Sequence, residues 1–174
     1  MKKEDRAVGT ITTKLCEGFK MLENQEPDTP AVADGNRRLI ERYYNELWNG
    51  WDFDLLDRFI DPTIKFHGSV GVSVESLDGF RDYMNLIRAA FPDFHNSVEE
   101  LVVENDRVAA RLTYRGTHQG TIFGVAPTGR LITYAGLALF RIARGKIVEG
   151  YVLGNVIHLL GQLGIKNLAT DEHG

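Results

Sequence analysis

The sequence predicts an α+β domain. Three observations carry that prediction. Apolar residues recur at helical spacing up to Pro92 and alternate at a spacing of two after it. The strands after Pro92 are joined by short turn signals, so they pair as neighbours in a mostly antiparallel sheet. The segment VEGYVLGNVIHLLGQLG closes the domain as a strand running into a short helix. Helices first and sheet afterwards is the α+β order.

Residues 1–33 read as an N-terminal extension or arm that ends in the Pro- and acid-bearing linker ENQEPDTPAVADG. Within it, Leu15, Phe19 and Leu22 have the spacing of a short amphipathic segment. The domain proper is expected over 34–168, with 169–174 as a short tail. Asp34 is a plausible N-cap for a first helix. Leu39, Ile40, Tyr43, Tyr44, Leu47 and Trp48 form its apolar stripe, and Asn49-Gly50 ends it. A second short helix is predicted over DFDLLDRFI and stops at Asp61-Pro62, because the residue before a proline is pushed out of helical geometry.

TIKFH then reads as a strand with Ile64 and Phe66 on one face and Lys65 and His67 on the other. Ser76 can cap a third helix whose stripe is Leu77, Phe80, Met84, Ile87 and Phe91, ended by Pro92. Four strands follow, over 95–104, 107–118, 130–142 and 146–154. Asn105-Asp106 and Ala143-Arg144-Gly145 are the tight turns, and GTHQGTIFGVAPTGR is a longer connection. Val108, Ala110, Leu112 and Tyr114 share one face of their strand; Arg111, Thr113 and Arg115 share the other. Strand 130–142 is apolar on both faces, which requires cover on both. Helices cover one side, and a second copy of the chain is expected on the other. A curved sheet wrapped around helices leaves an apolar pocket between them.

Composition narrows the function classes. A chain of 174 residues, 43% hydrophobic and 25% charged, can bury one sizeable core. The formal charge of −4 and the absence of a Lys/Arg run argue against a nucleic-acid partner. The single cysteine, Cys16, cannot form an internal disulfide. No apolar stretch reaches the roughly 20 residues of a membrane span, and no signal peptide is apparent, so a cytoplasmic setting is expected. The histidines lack close ligand spacing such as HxH or HExxH, so no metal is expected. No glycine-rich phosphate loop calls for a nucleotide, and no cofactor is expected.

Three stretches carry a resemblance to a known family: RYYNELWNGWDFDLLDRFIDPTIKFHG, RAAFPDFHNSVEELVVENDRVAARLTYRGTHQGTIFGVAPTGR and LFRIARGKIVEGYVLGNVIHLLGQLG. Across residues 36–166 the chain resembles the SnoaL-like polyketide cyclases, within the nuclear-transport-factor-2-like superfamily. That resemblance implies a cone-shaped α+β barrel in which a curved sheet wraps the N-terminal helices and lines a pocket. It also implies a cofactor-independent aldol ring closure, in which a carboxylate at the end of the last strand moves the proton. Here that position is Asn155, and an amide is no base near neutral pH.

Asn155 is therefore either the N-cap of the last helix, a hydrogen-bonding group for a substrate oxygen, or both. His67, at a strand end near the expected pocket mouth, and His118, in the GTHQG loop, remain as proton carriers. Each has a plainer alternative: His67 as a surface residue, His118 as a pin for its loop. Tyr43, Tyr44, Trp48, Tyr83, Phe91, Phe123, Tyr134 and Tyr151 form an aromatic set expected to pack the core or line the pocket; of these Tyr44, Trp48, Phe91, Tyr134 and Tyr151 are the ligand-contact candidates, with Tyr151 orienting a carbonyl. Arg111 points either inward, to an anionic or carbonyl partner, or outward as a surface arginine. The resulting expectation is a cyclase or isomerase of the lyase type, acting on a hydrophobic carbonyl-bearing small molecule such as a polyketide. The alternative is a non-catalytic binding or carrier protein of the same fold. A third reading is a dimeric module whose interior is filled by side chains. A homodimer through the outer sheet face is expected in any case.

Overall fold

The computed structural model describes residues 29–165, so the expectations for residues 1–28 and 169–174 lie outside the described residues, while residues 30–33, expected in the linker, are helical. Helix α1 (Pro30–Arg42) begins five residues earlier than an Asp34 cap would place it. Thr29 is the cap: its side chain accepts the Val32 N–H at 3.3 Å, and Pro30 takes the first helical position, where its missing N–H costs nothing.

The stripe then passes through one π-helical turn, Tyr43–Trp48, in which the Asn49 N–H donates to the Tyr44 carbonyl at 2.8 Å. A π turn widens the helix and changes where successive side chains point. Here it buries Tyr43, Tyr44, Leu47 and Trp48 together. The second helix is shorter than DFDLLDRFI predicts. It is a 3₁₀ turn, Phe53–Leu55, followed by α2 (Leu56–Phe59).

Strand β1 (Ile60–His67) starts before Pro62. It tolerates the proline because its register with the partner strand slips between Ile60 and Lys65, where no ladder bond is needed. Asp61 fills that irregularity. Its carboxylate accepts the Thr63 N–H and hydroxyl at 3.0 and 2.7 Å and meets Arg144 at 3.4 Å.

A two-residue strand β2 (Ser73–Val74), absent from the sequence reading, pairs with the end of β1. Helix α3 (Leu77–Ala90) is capped as expected, with the Ser76 hydroxyl accepting the Gly79 N–H at 3.1 Å. The meander follows: β3 (His95–Glu104), β4 (Arg107–Thr117), β5 (Leu131–Ala143) and β6 (Lys146–Gly154), then α4 (Val156–Leu163).

The six strands form one curved, unclosed sheet in the order β2-β1-β6-β5-β4-β3. All neighbours are antiparallel except β1 and β6, which run parallel. The inner face carries Val108, Ala110, Leu112 and Tyr114 from β4 and Ile132, Tyr134, Ala138 and Phe140 from β5, packed against α1, the π turn and α3. The outer face of β5 and β6 is uncovered in the single chain. Among the described residues no helix is long and apolar enough to cross a membrane.

Candidate functional site

The interior holds a cavity between the π turn, α3 and the inner sheet face. Its walls are Tyr43, Tyr44, Trp48, Phe66, Ser69, Tyr83, Ile87, Phe94, Asn96, Tyr114, Tyr134 and Val152. Its volume is about 30 Å³, enough to hold water but far below the few hundred Å³ of a typical small-molecule site. None of the lining residues carries a charge. Their polar groups are phenol hydroxyls, one serine hydroxyl, one amide and one indole N–H.

The phenols are positioned by packing. Tyr114 and Tyr134 are directly opposite each other across β4 and β5, with ring centroids 4.9 Å apart, and Phe94 stacks on Tyr114 at 5.7 Å. Tyr83 comes from α3 and packs on Phe66 at 5.2 Å and on Trp48 at 6.0 Å. Ser69, in the loop between β1 and β2, also lines the cavity, with its hydroxyl near both Tyr83 and Tyr134.

Three backbone glycines make room for these rings. A Cβ on Gly68 would lie 2.5 Å from the Tyr83 ring, one on Gly154 3.0 Å from Tyr134, and one on Gly136 would overlap Tyr114. Asn96 is held by Asn49, whose Oδ1 accepts both the Asn96 backbone N–H at 2.8 Å and its Nδ2–H at 3.1 Å.

Burial governs the titration of this cluster. Removal from water pushes the Tyr83 hydroxyl up to about 12 and raises Tyr43, Tyr44, Tyr114 and Tyr134 further, since a buried phenolate has little to solvate it. All five phenols are therefore neutral hydrogen-bond donors around pH 7. The Trp48 indole N–H is a sixth donor. It is near enough to the Tyr43 hydroxyl to ease the burial of that phenol, yet it completes no hydrogen bond with any acceptor among the described residues.

Of the residues expected from sequence to form the site, Tyr44, Trp48 and Tyr134 line the cavity. Phe91 is buried beside it, packed on Phe94 and His118 at 5.9 and 5.5 Å. The others lie elsewhere. Tyr151 is on the outer face, because the alternation of β6 turns Val152 inward and Tyr151 outward. His67 is beside it: Nδ1 lies 2.8 Å from the Ser73 hydroxyl, and the ring is 5.3 Å from Tyr151. Arg111 also faces outward and pairs with Glu100 at 3.3 Å.

Asn155 caps α4, its Oδ1 accepting the His158 N–H at 3.1 Å, and its side chain is not part of the cavity wall. His118 pins its loop. Its backbone N–H donates to the Arg130 carbonyl at 2.9 Å, and its Nδ1 accepts the Thr128 N–H at 3.2 Å. With Nδ1 accepting, the neutral ring carries its proton on Nε2, which is buried without a partner. The structure thus places the expected proton carriers, His67 and His118, and the expected carbonyl-orienting Tyr151 outside the cavity wall.

Tyr43, Tyr83, Tyr114, Ser69 and Asn96 were not singled out as site residues. Tyr114 had a readable signal, since it shares the inward face with Val108, Ala110 and Leu112. Gly136, Gly150 and Gly154 had another: an inward glycine in a strand marks a bulky group against the backbone. Ser69 sits in a loop and had none. Among the described residues, no three His, Cys, Asp or Glu side chains gather around one point.

Comparison with known proteins adds the family context. A profile of the SnoaL-like polyketide cyclases matches residues 38–163. No curated protein matches the sequence. Among solved structures, AclR, a candidate hydroxylase of Streptomyces galilaeus, is 31% identical with a TM-score of 0.67 over 80% of this chain and 87% of its own. IdmH, a candidate polyketide cyclase of Streptomyces antibioticus, is 30% identical with a TM-score of 0.65 over 75% of this chain and 99% of its own. A SnoaL-like protein of Jannaschia sp. CCS1 reaches a TM-score of 0.73 at 20% identity, over 82% and 99% of the two chains, which is a likeness of fold.

Proposed function

Because this chain belongs to the SnoaL-like polyketide cyclase family, we propose that it binds a hydrophobic, carbonyl-bearing small molecule such as a polyketide. On this reading it promotes a cofactor-independent ring closure or isomerisation through an enolate. One observation carries the proposal: phenols from α3, β4 and β5 converge on one apolar cavity and are held neutral there. Fixed donors in a water-poor site favour the oxygen whose negative charge grows as a carbonyl enolises. Tyr83, Tyr114 and Tyr134 are the groups assigned that role. Entry of a ligand requires ring or loop movement, since the resting cavity is small.

The same lining contains no carboxylate and no imidazole. The chain thus supplies the oxygen-stabilising half of an enolisation, and the proton acceptor is solvent or the substrate itself. Protons between two carbonyls are acidic enough for that division of labour. His67, His118 and Asn155 take no part in this scheme. The test is deuterium uptake at the central carbon of a 1,3-diketone in D2O. Catalysed uptake that drops in Tyr114→Phe supports the proposal, and uptake at the solvent rate with bound ligand refutes it. That second result would support the other reading, a binding or carrier protein, which the missing base favours.

The proposal includes a homodimer through the outer sheet face. Leu137 sits opposite Leu153 and Leu139 opposite Tyr151, and these four are 45–59% exposed in the single chain. A contiguous apolar patch of this kind, on paired strands, suits a second copy.

A further inference from the structure

The cavity wall contains a donor that the protein leaves without an acceptor. Trp48 is 5% exposed and lines the cavity, and its Nε1–H meets no acceptor among the described residues. Indole offers a donor only, and an unmet buried donor is costly, so such groups are satisfied in the state for which a site is built. The chain's other tryptophan is the internal contrast. Trp51 Nε1–H donates to the Pro92 carbonyl at 3.2 Å. The two rings are 5.8 Å apart.

We propose that Trp48 Nε1–H is the anchoring donor for an uncharged oxygen acceptor on the ligand, a ketone or ester carbonyl. This rests on the cavity being the ligand site, and it specifies the ligand's chemistry further. The acceptor must be uncharged because no lining residue carries a compensating charge, and an ionised carboxylate buried without a partner is strongly disfavoured. The π turn sets the geometry: the register shift at Tyr43–Trp48 brings the indole into the cavity wall beside Tyr43 and Tyr44.

The experiment uses the full chain with 15N-labelled indole nitrogens, whose two correlations belong to Trp48 and Trp51. Loss of one peak in Trp51→Phe assigns them. Three probes of similar size are titrated: acetophenone, ethylbenzene and benzoate. The expected result is a downfield shift of the Trp48 peak with acetophenone only, a steady Trp51 peak, and acetophenone binding roughly tenfold tighter than ethylbenzene, as one well-formed hydrogen bond provides. Benzoate is expected not to bind.

Equal affinity for acetophenone and ethylbenzene, or a Trp48 peak that ignores bound acetophenone, overturns the inference while the cavity remains the ligand site. Tighter binding of benzoate overturns the requirement for an uncharged acceptor. If none of the three binds in the cavity, the reading of the cavity as a ligand site fails, and this inference with it.

Discussion

The Tyr114 ring lies directly on the backbone of Gly136, so that a Cβ at position 136 would overlap the ring edge. Gly68 stands in the same relation to Tyr83, and Gly154 to Tyr134. Three of the five cavity phenols are thus located by the absence of a side chain beneath them. Gly136→Ala is expected to displace Tyr114 and to cost about 1–3 kcal/mol, the usual penalty for overfilling a packed core. Thermal unfolding measures it. An unchanged midpoint would mean that the ring relocates freely.

Removing a phenol oxygen while keeping the ring isolates chemistry from packing. Tyr114→Phe and Tyr134→Phe are each expected to lower turnover of a carbonyl substrate by about 10²-fold, the cost of losing one donor to a developing oxyanion. Stability should change little. Steady-state kinetics beside a melting curve reads both, and full activity in both variants would remove the phenols from the mechanism.

Burial raises the tyrosine hydroxyls, Tyr83 to about 12, whereas an unfolded chain ionises them near 10. The folded state therefore has the higher value. Its advantage is complete below about pH 10 and is lost as pH climbs through the folded value. Unfolding by alkali is expected between about pH 10 and 12, with the phenolate absorbance at 295 nm appearing together with loss of structure. Phenolate absorbance near pH 10 from all six tyrosines of an intact fold would contradict it.

Asn155→Ala removes the side-chain acceptor from the start of α4 and is expected to cost about 1 kcal/mol. Asn155→Asp keeps an acceptor there and should restore the loss. Neither should alter ligand affinity, because residue 155 does not line the cavity. Parallel denaturation and binding titrations decide it; an affinity change in the Ala variant would bring this side chain into the site.

The dimer proposal has a direct check in light scattering. The wild-type chain is expected to have twice the monomer mass at micromolar concentration, and Leu137→Glu to have the monomer mass. The substitution places a charge opposite Leu153 in the exposed patch without touching the core. A monomeric wild type would end the proposal.

Much of the fold was legible because period and punctuation agree. Ser76 caps its helix where the pattern put it, and the β3–β6 boundaries follow the alternation closely. The differences have local causes. Thr29 captures the first helix because Pro30 already has helical φ. Pro62 lies inside β1 because the β1–β6 register slips there. The site was less legible because facing is a tertiary property. Tyr151 and Tyr134 look equivalent on paper, and only strand parity against the helices separates them. Trp48 was identifiable as an aromatic, but its unmet N–H exists only in three dimensions.

The parallel pairing of β1 with β6 has a consequence for the order of assembly. The meander from β3 to β6 joins neighbours in the chain through two tight turns and one longer connection, residues 118–130. By contrast, Phe66 must find Gly150 across most of the domain. Closing so long a loop is entropically dearer than closing a hairpin. The meander is thus expected to form first and β1 to dock late, carrying Ser69 and Phe66 to their cavity partners. Pulse-labelled hydrogen exchange during refolding would show β4 and β5 amides protected before those of β1. On that timetable the binding chamber is the last part of the molecule to exist, and a chain stalled before that step would be sheet-rich yet unable to hold a ligand.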